Sequence, residues 1–136
     1  MPWVVDTCLL IDVAEADPRF GISSAQLLDR LHPDGLVVCP VSYIELSPVF
    51  NADEAAQNQF LYNLAVSWQE PWTMADTHEA RRAWNNYVAN RRAGPTPKRP
   101  LADILIGAFA ARLDGILTRN ANDFRQVFPQ LKILIP

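Results

Sequence analysis

No run of apolar residues in this chain is long enough to span a bilayer, and no basic segment followed by an apolar one opens it. Neither a membrane helix nor a secretory leader is therefore expected, and the chain reads as cytoplasmic. Cysteine is almost lacking: Cys8 and Cys39 are the two present, without metal-type spacing. Outside a secretory setting they are expected to be free thiols in the core rather than a disulfide. Histidine is as scarce, with His32 and His78 too far apart in sequence to form a local metal motif. Both read as surface or helix-start residues. There is no G-x-S-x-G, no P-loop and no G-x-G-x-x-G, so those nucleophile and phosphate-binding chemistries have no signature here. Internal repeats and low-complexity tracts are missing too.

What is present is an ordinary globular composition, 49% hydrophobic and 20% charged over 136 residues, enough for one domain spanning 1–136 with a real core. The net charge of −3 hides a segregation. Residues 1–80 carry twelve Asp and Glu against only Arg19 and Arg30. Residues 81–100 carry Arg81, Arg82, Arg91, Arg92, Lys98 and Arg99 and no acid. Such a run is either a solvated helix face and loop or a contact surface for a polyanion.

The chain is organised around its first ten or so residues. Trp3-Val4-Val5 is β-prone, Leu9-Leu10-Ile11 is apolar, and Asp6 stands between them. A lone charge inside a sheet core costs several kcal/mol, so Asp6 is expected at the C-terminal tip of a central strand. That tip is where ligands bind in open parallel sheets, although a helix cap would also explain an Asp there.

Further on, Leu9 to Ala16 reads as a short helix, and Ser23 or Ser24 as the cap of a second. Leu36 to Cys39 is a buried strand stopped by Pro40. Ser42-Tyr43-Ile44-Glu45 has the form of a capping box, as do Asp76 and Glu79. A helix starts near Asp53, and residues 67–74 hold a short strand or an extended segment, with Pro71 suited to an edge position. Ala80, Ala83, Trp84, Tyr87 and Val88 make an apolar stripe. Residues 94–100 form a stiff basic loop, and Leu101 to Ala111 a buried helix with Asp103 in its first turn. Gly115 to Thr118 is a strand, Asn120 to Val127 a helix, and Leu131 to Ile135 a last strand. Alternating strands and helices predict an α/β sandwich with a mainly parallel sheet. Trp68, Trp72 and Trp84 are expected in the core or an interface rather than as base-stacking platforms.

In such a sheet Asp6, Glu45, Asp103 and Asp123 gather at one edge. Each alone is explained as a cap or first-turn acid. Together, crowded carboxylates repel unless they share a cation, and hard oxygen ligands suit Mg²⁺ or Mn²⁺. A site of that kind activates water and neutralises a phosphodiester, with the neighbouring basic stretch to hold a nucleic-acid backbone.

Val4-Val5-Asp6-Thr7, Glu45, Leu101 to Ala108 and Thr118 to Phe124, in that order, resemble the motifs of PIN domains. Length and order resemble in particular the VapC-type toxins of toxin–antitoxin pairs. The resemblance implies a three-layer α/β/α fold with a mainly parallel sheet of about five strands. It also implies a metal-dependent endoribonuclease, commonly a homodimer, held inactive by an antitoxin whose tail enters the acidic cleft. By motif, Asp6, Glu45, Asp103 and Asp123 correspond to the metal-binding acids, with Thr118 and Asn120 as polar supports. Asn120 is an alternative for part of the Asp123 role. Arg91, Arg92, Lys98 and Arg99 are the expected RNA contacts. Cys8 stands where a serine is usual, and a thiol is the poorer hydrogen-bond partner. A PIN-like binding module without turnover is the competing reading.

Overall fold

The computed structural model describes residues 1–90 and 100–136. Its centre is a sheet of β1 (Trp3–Val5), β2 (Leu36–Val37), β3 (Val66–Ser67), β4 (Gly115–Leu117) and β5 (Ile133–Leu134), in the order β3-β2-β1-β4-β5. All the pairings are parallel. Seven α-helices are described: α1 (Thr7–Ala14), α2 (Gly21–Leu31), α3 (Pro40–Leu46), α4 (Glu54–Asn63), α5 (Met74–Asn90), α6 (Pro100–Ala111) and α7 (Ala121–Val127).

The strand register explains the three layers. Val4 pairs with Val37 and Ile116, and these three point to one face, where Ile106, Phe109 and Phe124 of α6 and α7 cover them. Val5, Leu36 and Leu117 point to the other face, beneath Leu9, Leu10, Leu27, Leu28 and Leu61 of α1, α2 and α4. Side chains alternate across a strand, so a sheet buried on both faces needs apolar residues at successive positions. The run Val4-Val5 meets that need with the fewest residues. A third cluster joins Ala80 and Ala83 of α5 to Ile104 and Ala108 of α6 and to Phe128. The helix α5 thus lies against α6 rather than on the sheet.

Several local expectations fail for identifiable reasons. The second helix begins at Gly21, before Ser23 and Ser24, because the Asp17 carboxylate accepts from the Arg19 and Phe20 N–H groups at 2.9 Å and starts the turn earlier. Ser24 is left buried with its hydroxyl unbonded among the described residues. Pro40 takes the first turn of α3, so Ser42 is interior and Glu45 lies near the helix C-terminus. The capping-box explanation of Glu45 falls with it. Asp76 is not the cap of α5 but the third-position partner of Thr73. The Thr73 N–H donates to Asp76 Oδ2 at 2.9 Å and the Asp76 N–H to Thr73 Oγ1 at 3.3 Å. Glu79 pairs with Arg82 instead. In the α5 stripe Ala80 and Ala83 are buried, whereas Trp84 and Val88 are 36% and 39% exposed.

Gly107 sits in α6 with the Phe128 ring against it, and a Cβ there would overlap three ring atoms. Overpacking of this kind costs about 1–3 kcal/mol. Gly107→Ala is therefore expected to lower stability by about that amount in urea unfolding, and Phe128→Leu in the same background to restore part of it. A neutral Gly107→Ala would mean that α6 and Phe128 do not approach so closely.

Candidate active site

From β1 the chain runs outward to β2 and β3, and from β4 it runs the other way to β5. The connections leaving β1 and β4 therefore diverge, and the C-terminal ends of these two strands form the crevice of an open α/β sheet. Asp6 and Thr118 are the first residues past the two strands. The Asp6 N–H still bonds Leu117 O at 2.9 Å, so the ladder continues to the rim.

Asp6 is 2% exposed, and its carboxylate is held from several sides. Oδ1 accepts from the Thr7 N–H at 2.8 Å, the cap of α1. Oδ2 accepts from Thr118 Oγ1 at 2.7 Å and from Cys8 Sγ at 3.4 Å. Thr118 Oγ1 in turn accepts from the Asn120 N–H at 3.0 Å, which commits its own proton to Asp6. Burial first, and then the charge of Asp6, push the Cys8 thiol up to about 12. Cys8 therefore stays protonated and acts as a donor.

Glu45 joins the site through a residue that sequence reasoning overlooked. Thr7 Oγ1 donates to Glu45 Oε1 at 2.8 Å, while the Thr7 N–H holds Asp6. One fully buried threonine thus sets the spacing of two acids that lie 39 positions apart in sequence. Its adjacency to Asp6, at the first position of a helix, was the available signal. Asp103 is half-buried in the first turn of α6. That helix leads into β4 and so runs back against the strand direction, which carries its first turn toward the rim where β1 ends. Asp123 is half-buried in the first turn of α7, its N–H on Asn120 O at 3.2 Å. Asn120 reaches the network through its backbone, and its side chain makes no capping bond. Arg91, Arg92, Lys98 and Arg99 lie outside the described residues. Trp72 stacks on Phe109 at 6.3 Å and its Nε1–H donates to Thr77, so it is half-buried against the core.

Among the described residues, no group of three or more His, Cys, Asp and Glu side chains stands close enough together to hold a metal ion. Carboxylate oxygens such as those of Asp6 and Glu45 are hard donors of the kind that divalent metal ions take.

The PIN domain family model matches residues 3–128. This chain belongs to that family. A chain of VapBC2 from Rickettsia felis, crystallised bound to a DNA fragment from its promoter, has the same fold. The two superpose with a TM-score of 0.72 at 13% identity, over 99% of this chain and 98% of that one. None of the curated proteins is significantly similar in sequence. No described helix of this PIN domain is long and apolar enough to cross a membrane.

At the head of the helix that carries Glu45, the PIN domain buries a second thiol. Cys39 precedes α3, is fully buried and free, and burial pushes its pKa from 9.0 to about 11. Above pH 9 the unfolded chain releases this proton while the folded one keeps it, so stability falls as pH rises toward about 11. The loss approaches about 1.4 kcal/mol per pH unit in that window. Urea unfolding from pH 8 to 11 is expected to show this extra slope in the wild type relative to Cys39→Ala. Parallel profiles would mean that the thiol ionises as readily folded as unfolded.

Proposed function

We propose that this PIN domain, acting as a single unit over residues 1–136, is a metal-dependent endoribonuclease and the toxin of a toxin–antitoxin pair of the VapC type. The observation that carries the reading is the Asp6 carboxylate, buried at the crevice and oriented by Thr7, Thr118 and Cys8, with Glu45 fixed beside it through Thr7. A buried carboxylate is costly to desolvate, and capping alone does not call for so many donors or for a second acid.

Asp6, Glu45, Asp103 and Asp123 are the proposed ligands of Mg²⁺ or Mn²⁺. The ion, when bound, lowers the pKa of a water and neutralises charge on a scissile phosphodiester. The chain's own part is to hold the ligands in place. Thr118 fixes the Asp6 rotamer, Thr7 fixes Glu45, and the buried setting of Asp6 strengthens its interactions. Arg91, Arg92, Lys98 and Arg99 are proposed to grip the RNA backbone. The antitoxin is proposed as a small protein that places an Arg or Lys near Asp6 and Asp103, acting on a homodimer in the cytoplasm. Membership of the PIN family and the fold shared with a VapBC2 chain support this assignment.

Wild-type protein is expected to cleave RNA only with Mg²⁺ or Mn²⁺, and Asp6→Asn to abolish cleavage. Thr118→Val keeps the shape but loses the donor to Asp6, and is expected to weaken metal affinity or rate by about 10–100-fold. Cleavage assays and Mn²⁺-induced shifts in melting temperature read both effects. RNA binding without any cleavage would turn the assignment to a binding module.

The basic stretch has its own test. Replacing Arg91, Arg92, Lys98 and Arg99 with Ser is expected to flatten the salt dependence of RNA affinity, by about 0.7 in log–log slope for each lost phosphate contact. An unchanged slope would return these residues to the solvent.

A further inference from the structure

The β4–α7 loop is tied to α1 and its cap by Thr118, which bonds Asp6 and lies 3.7 Å from Cys8 Sγ, and these ties belong to the site described above. The other tie is between Arg119 and Asp12. Arg119 Nε donates to Asp12 Oδ2 at 2.8 Å and a terminal nitrogen reaches Oδ1 at 3.4 Å. Asp12 is 3% exposed, on the inner side of α1. The guanidinium lies over the Phe20 ring, 4.7 Å from its centroid. A planar fork that is both bidentate and stacked is a fixed object, which a lysine ammonium would not be.

The placement of this pair matters more than its strength. The helix α1 packs on α2 and α3, whereas α7 packs on α5 and α6. Beyond the β1–β4 pairing, side chains of the rim therefore have to hold these two elements in register across the crevice. Thr118, Arg119 and Asn120 are consecutive, and each contributes. Thr118 bonds Asp6, Arg119 bonds Asp12, and the Asn120 N–H fixes the Thr118 hydroxyl. Asp6 and Asp12 are six residues apart, so the two anchor points stand about 9 Å apart along α1. Two separated anchors stop a loop from pivoting, where one would not.

We infer that Asp12 and Arg119 form a positioning pair, clamping the β4–α7 loop to α1 so that the Thr118 hydroxyl stays on Asp6. Neither residue touches substrate or metal in this scheme. The inference rests on the nuclease reading for its purpose, and its structural half is independent of that reading.

The test compares wild type, Asp12→Asn/Arg119→Gln, Arg119→Lys and Asp6→Asn. The double variant removes both charges, so neither is left buried and unpaired. In metal-free protein, amide hydrogen exchange is expected to lose at least about tenfold protection at Asn120, while Ile116 in β4 and Leu10 in α1 keep theirs. Mn²⁺ affinity by calorimetry is expected to fall about 10–100-fold, and kcat on an RNA oligonucleotide by a similar factor with KM little changed. Arg119→Lys keeps the charge without the fork and is expected to fall between wild type and the double variant. It also carries the test if the double variant does not fold. A lower melting temperature with unchanged Asn120 protection, Mn²⁺ affinity and kcat would reduce the pair to a structural staple and overturn the inference. A wild type that neither binds Mn²⁺ nor cleaves RNA would instead remove the nuclease reading, and with it the pair's role toward the site. A competent wild type, an inactive Asp6→Asn and an unaffected double variant would remove the inference alone.

Discussion

A carboxylate buried at the end of a central strand is the constraint on which the rest of this fold depends. Shielded from water, the Asp6 carboxylate requires donors in fixed directions, and an unmade bond to it costs about 1–3 kcal/mol or more. The chain supplies them from two elements that are remote in sequence. Thr7 and Cys8 come from the helix that Asp6 itself begins, and Thr118 comes from the far end of the chain. The β1–β4 pairing brings these residues together, because parallel strands in register end at the same level. The sheet order is thus inseparable from the state of one side chain.

The same logic recurs away from the rim. Asp76 is fully buried and is satisfied by Arg112, with Nε on Oδ1 at 2.9 Å and a terminal nitrogen on Oδ2 at 3.1 Å. It also completes the cap of α5 with Thr73, while Arg112 reaches Pro71 O and lies over the Phe109 ring. One acid therefore fixes the start of α5 against the C-terminal end of α6. Buried ion pairs of this kind add little net stability but tolerate few alternative arrangements. Such rigidity at the base of α6 suits a helix whose other end carries Asp103.

The residues that announced themselves in the sequence did so by breaking a pattern. Asp6 interrupts two apolar runs, Asp103 is the one charge in an apolar helix, and Val4-Val5 is apolar at successive positions. Breaks of that sort have few physical solutions, so the strand tips and the parallel sheet were legible. The failures came where two local signals compete. Ser-x-x-Glu at Ser42 loses to Pro40, which starts the helix three residues earlier, and Ser24 loses to the turn made by Asp17. The least legible features were the pairs that only tertiary structure joins. Asp12 with Arg119 and Asp76 with Arg112 are 107 and 36 residues apart, and no periodicity relates them. Thr7 is a different case: it stood in plain view, but a threonine after an aspartate has too many ordinary explanations.

Cys8 shows how the network compensates for an unsuitable side chain. A hydroxyl at this position would donate to Asp6 at an ordinary oxygen–oxygen distance, whereas the thiol donates across 3.4 Å and is the weaker donor. Its raised pKa keeps the proton in place, so direction is preserved although strength is not. The burden of orienting Oδ2 then falls on Thr118, whose hydroxyl has a single proton to give and one backbone donor to aim it. A site that relies on one hydroxyl is sensitive to any drift of the loop that carries it. The bidentate, ring-stacked Arg119 is the next residue in the chain, where its hold on α1 limits such drift most directly.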